Sequence, residues 1–146
     1  MPMNTGRLLK SFFHVVKEYI EKNSFNYNLN EFMPPLIKSF GRLQQVTSFM
    51  ASKGLNNPEE AAGPATDYLK MFSLVAIGYV WTQYAEISFN KQNDDPEGFY
   101  KAKIASGKYY MLKILPETGS IMSSILSGAK YYNDFDDKYF DSGFIL

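Results

Sequence analysis

Apolar residues recur at a spacing of about 3.6 in separate stretches of this chain, which predicts amphipathic helices. From Thr5 to Lys22, Leu8, Phe12, Val15 and Tyr19 form one stripe and Leu9, Phe13, Val16 and Ile20 the adjoining one. Lys10, His14, Lys17, Glu18 and Glu21 share the opposite, polar face, and Asn4 or Thr5 can cap the start. Asn23 to Asn28 reads as a connection. A second helix should begin between Leu29 and Pro34, because Pro34 and Pro35 are tolerated only in a first turn. Its seam is Leu36, Phe40, Leu43, Thr47 and Met50, and it runs to Lys53 with Gly54 as the stop. Asn57-Pro58 looks like a new N-terminus, and Gly63-Pro64 should end that short helix and restart a longer one to about Phe89. Asp95-Pro96-Glu97 announces the last helix, which continues through Tyr100, Ile104, Gly107, Met111 and Leu115 to Ile125. Pro116 should kink it, and Gly128 should end it.

No segment reads as a strand. The pattern therefore predicts an all-α fold, an antiparallel four-helix bundle over residues 1–129 with a Pro-kinked last helix. An irregular C-terminal tail over 130–146, acidic and aromatic, would follow it with Asp134, Asp136, Asp137 and Asp141.

The third helix departs from this simple picture. Phe72, Val75, Tyr79 and Gln83 define one face, the natural bundle core, yet Leu74, Ile77, Trp81 and Ala85 fall on the opposite side. A helix that is apolar all round is buried all round. Either the tail folds over this second face, or another polypeptide surface does. The same arithmetic puts Tyr109 and Tyr110 on the flanks of the last helix. Leu74, Ile77, Trp81, Tyr109 and Tyr110 are thus the candidate interface residues, since exposed Trp and Tyr are typical anchors.

Composition removes most other chemistry. Fifteen basic residues balance fifteen acidic ones among 146, so charge gives no sign of nucleic acid or an anionic membrane as partner. The absence of cysteine excludes disulfides, thiolate nucleophiles and thiolate metal sites, and His14 is the only histidine, too few for a di-iron carboxylate site. His14 lies between Lys10 and Lys17 on the polar face and reads as a surface residue. The glycines form no phosphate cradle, and the cluster from Asn133 to Asp137 lacks the glycine and glutamate of a calcium loop. No pair among Glu59, Glu60, Glu86 and Glu117 is singled out for acid–base work. No catalytic, cofactor-binding or metal-binding residue is assigned. The longest apolar run, Met71 to Trp81, is too short to cross a membrane, and the residues from Met1 to Arg7 carry no targeting signal, so a cytoplasmic location is expected.

Two segments carry a resemblance. Thr66-Asp67-Tyr68-Leu69-Lys70-Met71-Phe72 through Trp81, and Phe99-Tyr100-Lys101-Ala102-Lys103-Ile104 through Tyr110 with Leu115-Pro116-Glu117-Thr118, resemble the C-terminal helical extension of long bacterial acyl-CoA dehydrogenases. The subclass is that of the 3-methylmercaptopropionyl-CoA dehydrogenases, and Gly6-Arg7-Leu8-Leu9 is similar to the helix that enters the extension. Gly107-Lys108 departs from the pattern, where Ala or Thr followed by Arg is usual, and the aromatic tail has no counterpart there. The resemblance implies a parent enzyme that uses FAD to dehydrogenate an acyl-CoA thioester. Its catalytic glutamate, in a Tyr-Glu-Gly-Thr-like motif, and its flavin lie upstream of the extension. The extension itself would be a packing module, inactive alone, with no cofactor of its own. It would dock on the catalytic domains in cis or as a separate chain, support a homo-oligomer and limit access to the acyl-CoA cleft. The alternatives are a stand-alone helical adaptor and a bundle that binds an acyl chain.

Overall fold

The computed structural model describes residues 3–52 and 58–134. The order is α1 (Met3–Asn23), a 3-10 turn (Tyr27–Leu29), α2 (Met33–Ser52), α3 (Pro58–Lys91), a second 3-10 turn (Gln92–Asp94), α4 (Phe99–Tyr109), a π turn (Tyr110–Ile114) and α5 (Glu117–Asp134). No strand occurs among the described residues. Together α4, the π turn and α5 make one bent rod, so four rods form the bundle.

Side-chain pairs fix the direction of each rod. Thr47 meets Tyr68 at 2.8 Å and Phe32 meets Phe89 at 6.5 Å between ring centres, so α2 and α3 are antiparallel. Tyr100 lies near Lys91, Tyr110 bonds Leu74 and Glu117 pairs with Lys70, so the bent rod also opposes α3. Phe12 packs on Phe72 and Tyr19 bonds Glu86, so α1 runs parallel to α3. This is up-down-up-down order, as the short connections require.

The core has two lobes. Val16, Phe40, Leu43, Val46, Met71, Val75, Ile121 and Ile125 fill one end. Leu29, Phe32, Met33, Leu36, Ala85, Tyr110, Met111 and Leu115 fill the other. Ile20, Leu74 and Tyr79 pack against both and join them. Each fully buried aliphatic side chain contributes about 1.5–3 kcal/mol over leaving it in water.

Several sequence expectations are met locally. Pro34 and Pro35 sit in the first turn of α2, and α1 ends at Asn23. The connection is stabilised by Asn26, whose side-chain oxygen accepts from the Asn28 amide at 3.2 Å. The expected stop at Gly54 and cap at Asn57 lie outside the described residues, as does the tail from 135 onward.

Others are corrected. Gly63-Pro64 does not split the third helix: α3 passes through Pro64 unbroken to Lys91. One proline removes a single ladder bond near the helix start, and the long packed remainder of α3 outweighs that loss. The last helix begins at Phe99, three residues past Pro96, because Gly98 adopts a left-handed φ of 79°. Asp95 still acts as a cap across this turn, its carboxylate accepting from the Tyr100 amide at 2.6 Å. Around Pro116 the chain does more than kink. The Leu115 amide donates to the Tyr110 carbonyl, five residues back, and the ladder restarts at Glu117. Gly128 does not end the helix, since α5 continues to Asp134. On α1, Leu8 and Val15 remain exposed, because the helix docks through Phe12, Phe13, Val16 and Ile20.

Candidate interaction surface

Rotation about α3 decides what is covered. Met71, Val75, Thr82, Ala85 and Ser88 are buried along it, so of the expected core face Val75 is fully buried, while Phe72 and Tyr79 pack on the core from its edge and Gln83 is half-buried. Thr82 escaped the sequence reading because it is polar, yet its hydroxyl donates to the Gly78 carbonyl at 2.8 Å and leaves no buried polar atom unmet. Small residues on this line let the bent rod approach closely. A Cβ on Gly78 would lie 3.3 Å from the Leu115 methyls, and on the rod's own side one on Gly107 of α4 would lie 2.8 Å from the Phe32 ring and 3.4 Å from the Trp81 indole.

The bent rod therefore covers the face that Trp81 begins. Ala85 is buried, and Leu74 and Trp81 are half-buried against the lobe formed by Leu29, Phe32 and Leu115. Tyr110, placed on the flank by the sequence, is only 7% exposed. Its flank is the one α3 occupies, and its hydroxyl donates to the Leu74 carbonyl at 2.6 Å. Burial, with the Glu117 carboxylate nearby, pushes the Tyr110 phenol up to about 12. Tyr110 is thus mainly a core residue that keeps only an edge toward solvent, whereas its neighbour Tyr109 is 62% exposed.

A surplus apolar face nevertheless exists on α3, turned to one side of Trp81. Ile77, Val80, Tyr84 and Ile87 follow one another at steps of three and four residues, and each keeps 40% to 49% of its surface in solvent. Ile77 belongs to the face expected from the sequence; Val80, Tyr84 and Ile87 lie farther round the helix, beyond the arc of Leu74, Ile77, Trp81 and Ala85. Toward α4 the face continues into an open groove of about 470 Å³, lined by Trp81, Ala105, Ser106, Tyr109, Tyr110 and Ile114. The Trp81 and Tyr84 rings meet edge to face at 6.0 Å. The Lys103 ammonium stands 5.5–5.9 Å from the centres of Trp81, Tyr84 and Phe99. Such cation–π contacts give about 0.5–1 kcal/mol each at exposed sites and hold the aromatic rim in place.

The matching sequence pattern covers residues 12–136 and is that of the family described as Acetyl-CoA dehydrogenase C-terminal like. The chain belongs to this family. A search of curated proteins gave no match. In this acyl-CoA dehydrogenase C-terminal-like domain, the segments that carried the resemblance form α3 and the bent rod, the two elements that build the aromatic groove.

The linings of the two described grooves lack the donors that a flavin needs. A dinucleotide needs backbone amides and small residues converging on its pyrophosphate. Neither this groove nor the second one, of about 300 Å³ beside the π turn, offers such a cradle. No group of three or more potential metal ligands occurs among the described residues. His14 lies on the exposed face, 3.1 Å from Glu18. No described helix is long and apolar enough to cross a membrane.

Proposed function

We propose that this domain is the packing and oligomerisation module of a flavin-dependent acyl-CoA dehydrogenase. The exposed face of α3 docks on the catalytic body of that enzyme, in cis or as a separate chain. The single observation that carries the reading is the run Ile77, Val80, Tyr84, Ile87, an apolar stripe left in water on the helix that packs against α2, α4 and α5. Four such side chains half-exposed on one helix, extended by Tyr109 and Ile114 across the groove, approach the core of a standard interface, which takes roughly 800 Å² from each partner. Family membership supports the choice of occupant, because a domain described as C-terminal to a dehydrogenase has that enzyme's body as its natural neighbour. FAD and the base that removes the substrate proton belong to the catalytic body in this reading, and the module positions and seals that body without taking part in the chemistry.

The test pairs the chain with the flavin-binding dehydrogenase polypeptide encoded in frame with it or beside it. Sedimentation velocity should show a complex that the triple variant Ile77→Lys, Tyr84→Lys, Ile87→Lys abolishes while its circular dichroism melt stays cooperative. Trp81, the only tryptophan, reports docking independently: its emission should shift to shorter wavelength in the wild-type complex. Equal association of wild type and a folded triple variant overturns the reading.

A further inference from the structure

A second concavity lies on the other side of the bent rod, away from the α3 stripe, and its chemistry is different. The π turn and Pro116 face the first two turns of α2 across a notch of about 300 Å³. Leu112, Pro35 and Pro116 give its accessible apolar walls over a floor of the buried Met111 and Leu115, and Lys38 and Arg42, one helical turn apart, bring the only charges of the lining. That volume is at the lower end of the range for small-molecule sites.

The two cations are placed without acidic partners. Among the described residues neither Lys38 nor Arg42 forms an ion pair, and Glu117, just beyond Pro116, is engaged by Lys70 at 2.7 Å. Arg42 is nevertheless held in position. Its Nη1 donates to the Thr118 hydroxyl at 3.2 Å, and that hydroxyl donates in turn to the Leu115 carbonyl at 2.9 Å. The guanidinium lies against Gly119, where a Cβ would come within 3.0 Å of it. A fixed guanidinium with donors to spare is pre-organised for an anion, and its flat fork suits carboxylate or phosphate oxygens.

We propose that this notch binds a small amphipathic anion, its carboxylate or phosphate head on Arg42 and Lys38 and its short apolar chain on Leu112, Pro35 and Pro116. The inference goes beyond the docking role and uses none of the residues of the α3 stripe, so either can fail alone. The π turn gives the site its shape. The wide turn brings Tyr110 and Met111 inward together, and the missing Pro116 N–H separates α4 from α5 at the wall of the notch.

The experiment is a ¹⁵N NMR titration of the chain with hexanoate, hexyl phosphate, hexanol and inorganic phosphate. Hexanoate or hexyl phosphate should move the Ser39, Arg42, Met111 and Leu115 amides in a saturable way. Hexanol and inorganic phosphate alone should bind roughly tenfold more weakly or worse, since each lacks one half of the recognition. The Lys38→Gln, Arg42→Gln pair should weaken hexanoate by a similar factor with the remaining spectrum unchanged. Added salt should weaken hexanoate and spare hexanol, a readout that does not depend on the variant folding. Equal binding of hexanoate and hexanol, shifts centred elsewhere, or no saturable shift with either anionic amphiphile overturns the proposal.

Discussion

The Tyr110 hydroxyl donates to the Leu74 carbonyl oxygen at 2.6 Å, tying the start of the π turn to the middle of α3 across 36 positions of sequence. The bond turns an apparent surface tyrosine into a core residue and pins the bent rod where it covers Leu74 and Trp81. Leu74 lies inside α3, so its carbonyl also faces the helix ladder, and loss of the phenol does not strand it. Tyr110→Phe should therefore cost about 1 kcal/mol, read from the shift in the urea midpoint at constant slope. A variant as stable as wild type would show that the bond contributes nothing net.

Alkaline pH should unfold the domain through its tyrosines. Burial raises the phenols of Tyr19, Tyr68, Tyr79 and Tyr110 above their ordinary value, and for Tyr19 the bonded Glu86 carboxylate raises it further. A folded-state value above the unfolded one means that the folded chain holds more protons in that window. The contribution is complete below pH 10 and is lost as pH rises through the folded value, about 12 for Tyr110. Thermal melts should hold steady up to about pH 10 and then fall steeply. Tyrosinate absorbance should show these four of the eleven tyrosines titrating late or together with unfolding.

Gly107 carries no side chain because Phe32 fills the space. A Cβ would sit 2.8 Å from the Phe32 ring, and Phe32 is itself fully buried and packed edge to face on Phe89. Gly107→Ala should gain a little helix propensity and lose more to overpacking, a net destabilisation of about 1–3 kcal/mol. In a Phe32→Leu background the same change should cost clearly less, giving a coupling of about 1 kcal/mol in a double-mutant cycle. Additive effects would place the strain elsewhere.

Trp81 is half-buried, between the behaviours of a core residue and a free anchor. Truncation to Ala should cost about 2 kcal/mol, roughly half the loss for a fully enclosed indole. Acrylamide should quench the wild-type fluorescence to an intermediate degree. Full protection from quencher in the isolated chain would remove Trp81 from the edge of the docking face.

Much of this was legible in the sequence for reasons confined to a few neighbouring residues. The prolines at 34 and 35 mark a first turn, Asn23 to Asn28 a connection, and Asp95 a cap, because each acts on its own stretch of backbone. The π turn was not legible. Pro116 announces a fault in the helix, but the way it resolves depends on Tyr110 reaching Leu74 and on Leu115 reaching the core. The continuation past Gly128 was likewise hidden, since a glycine favours a helix stop without imposing one.

By itself the sequence determined that the chain is helical, how its apolar residues are distributed around each helix, and which family it belongs to. A helical wheel gives angles about an axis and says nothing of which angle a neighbour will occupy. Only the tertiary structure decided that the bent rod lies on the Trp81 side of α3. That placement buried Tyr110, half-covered Leu74 and Trp81, and left Ile77, Val80, Tyr84 and Ile87 in water. The deciding contacts, Gly107 on Phe32 and Tyr110 on Leu74, join positions far apart in the chain, where no local period can reveal them.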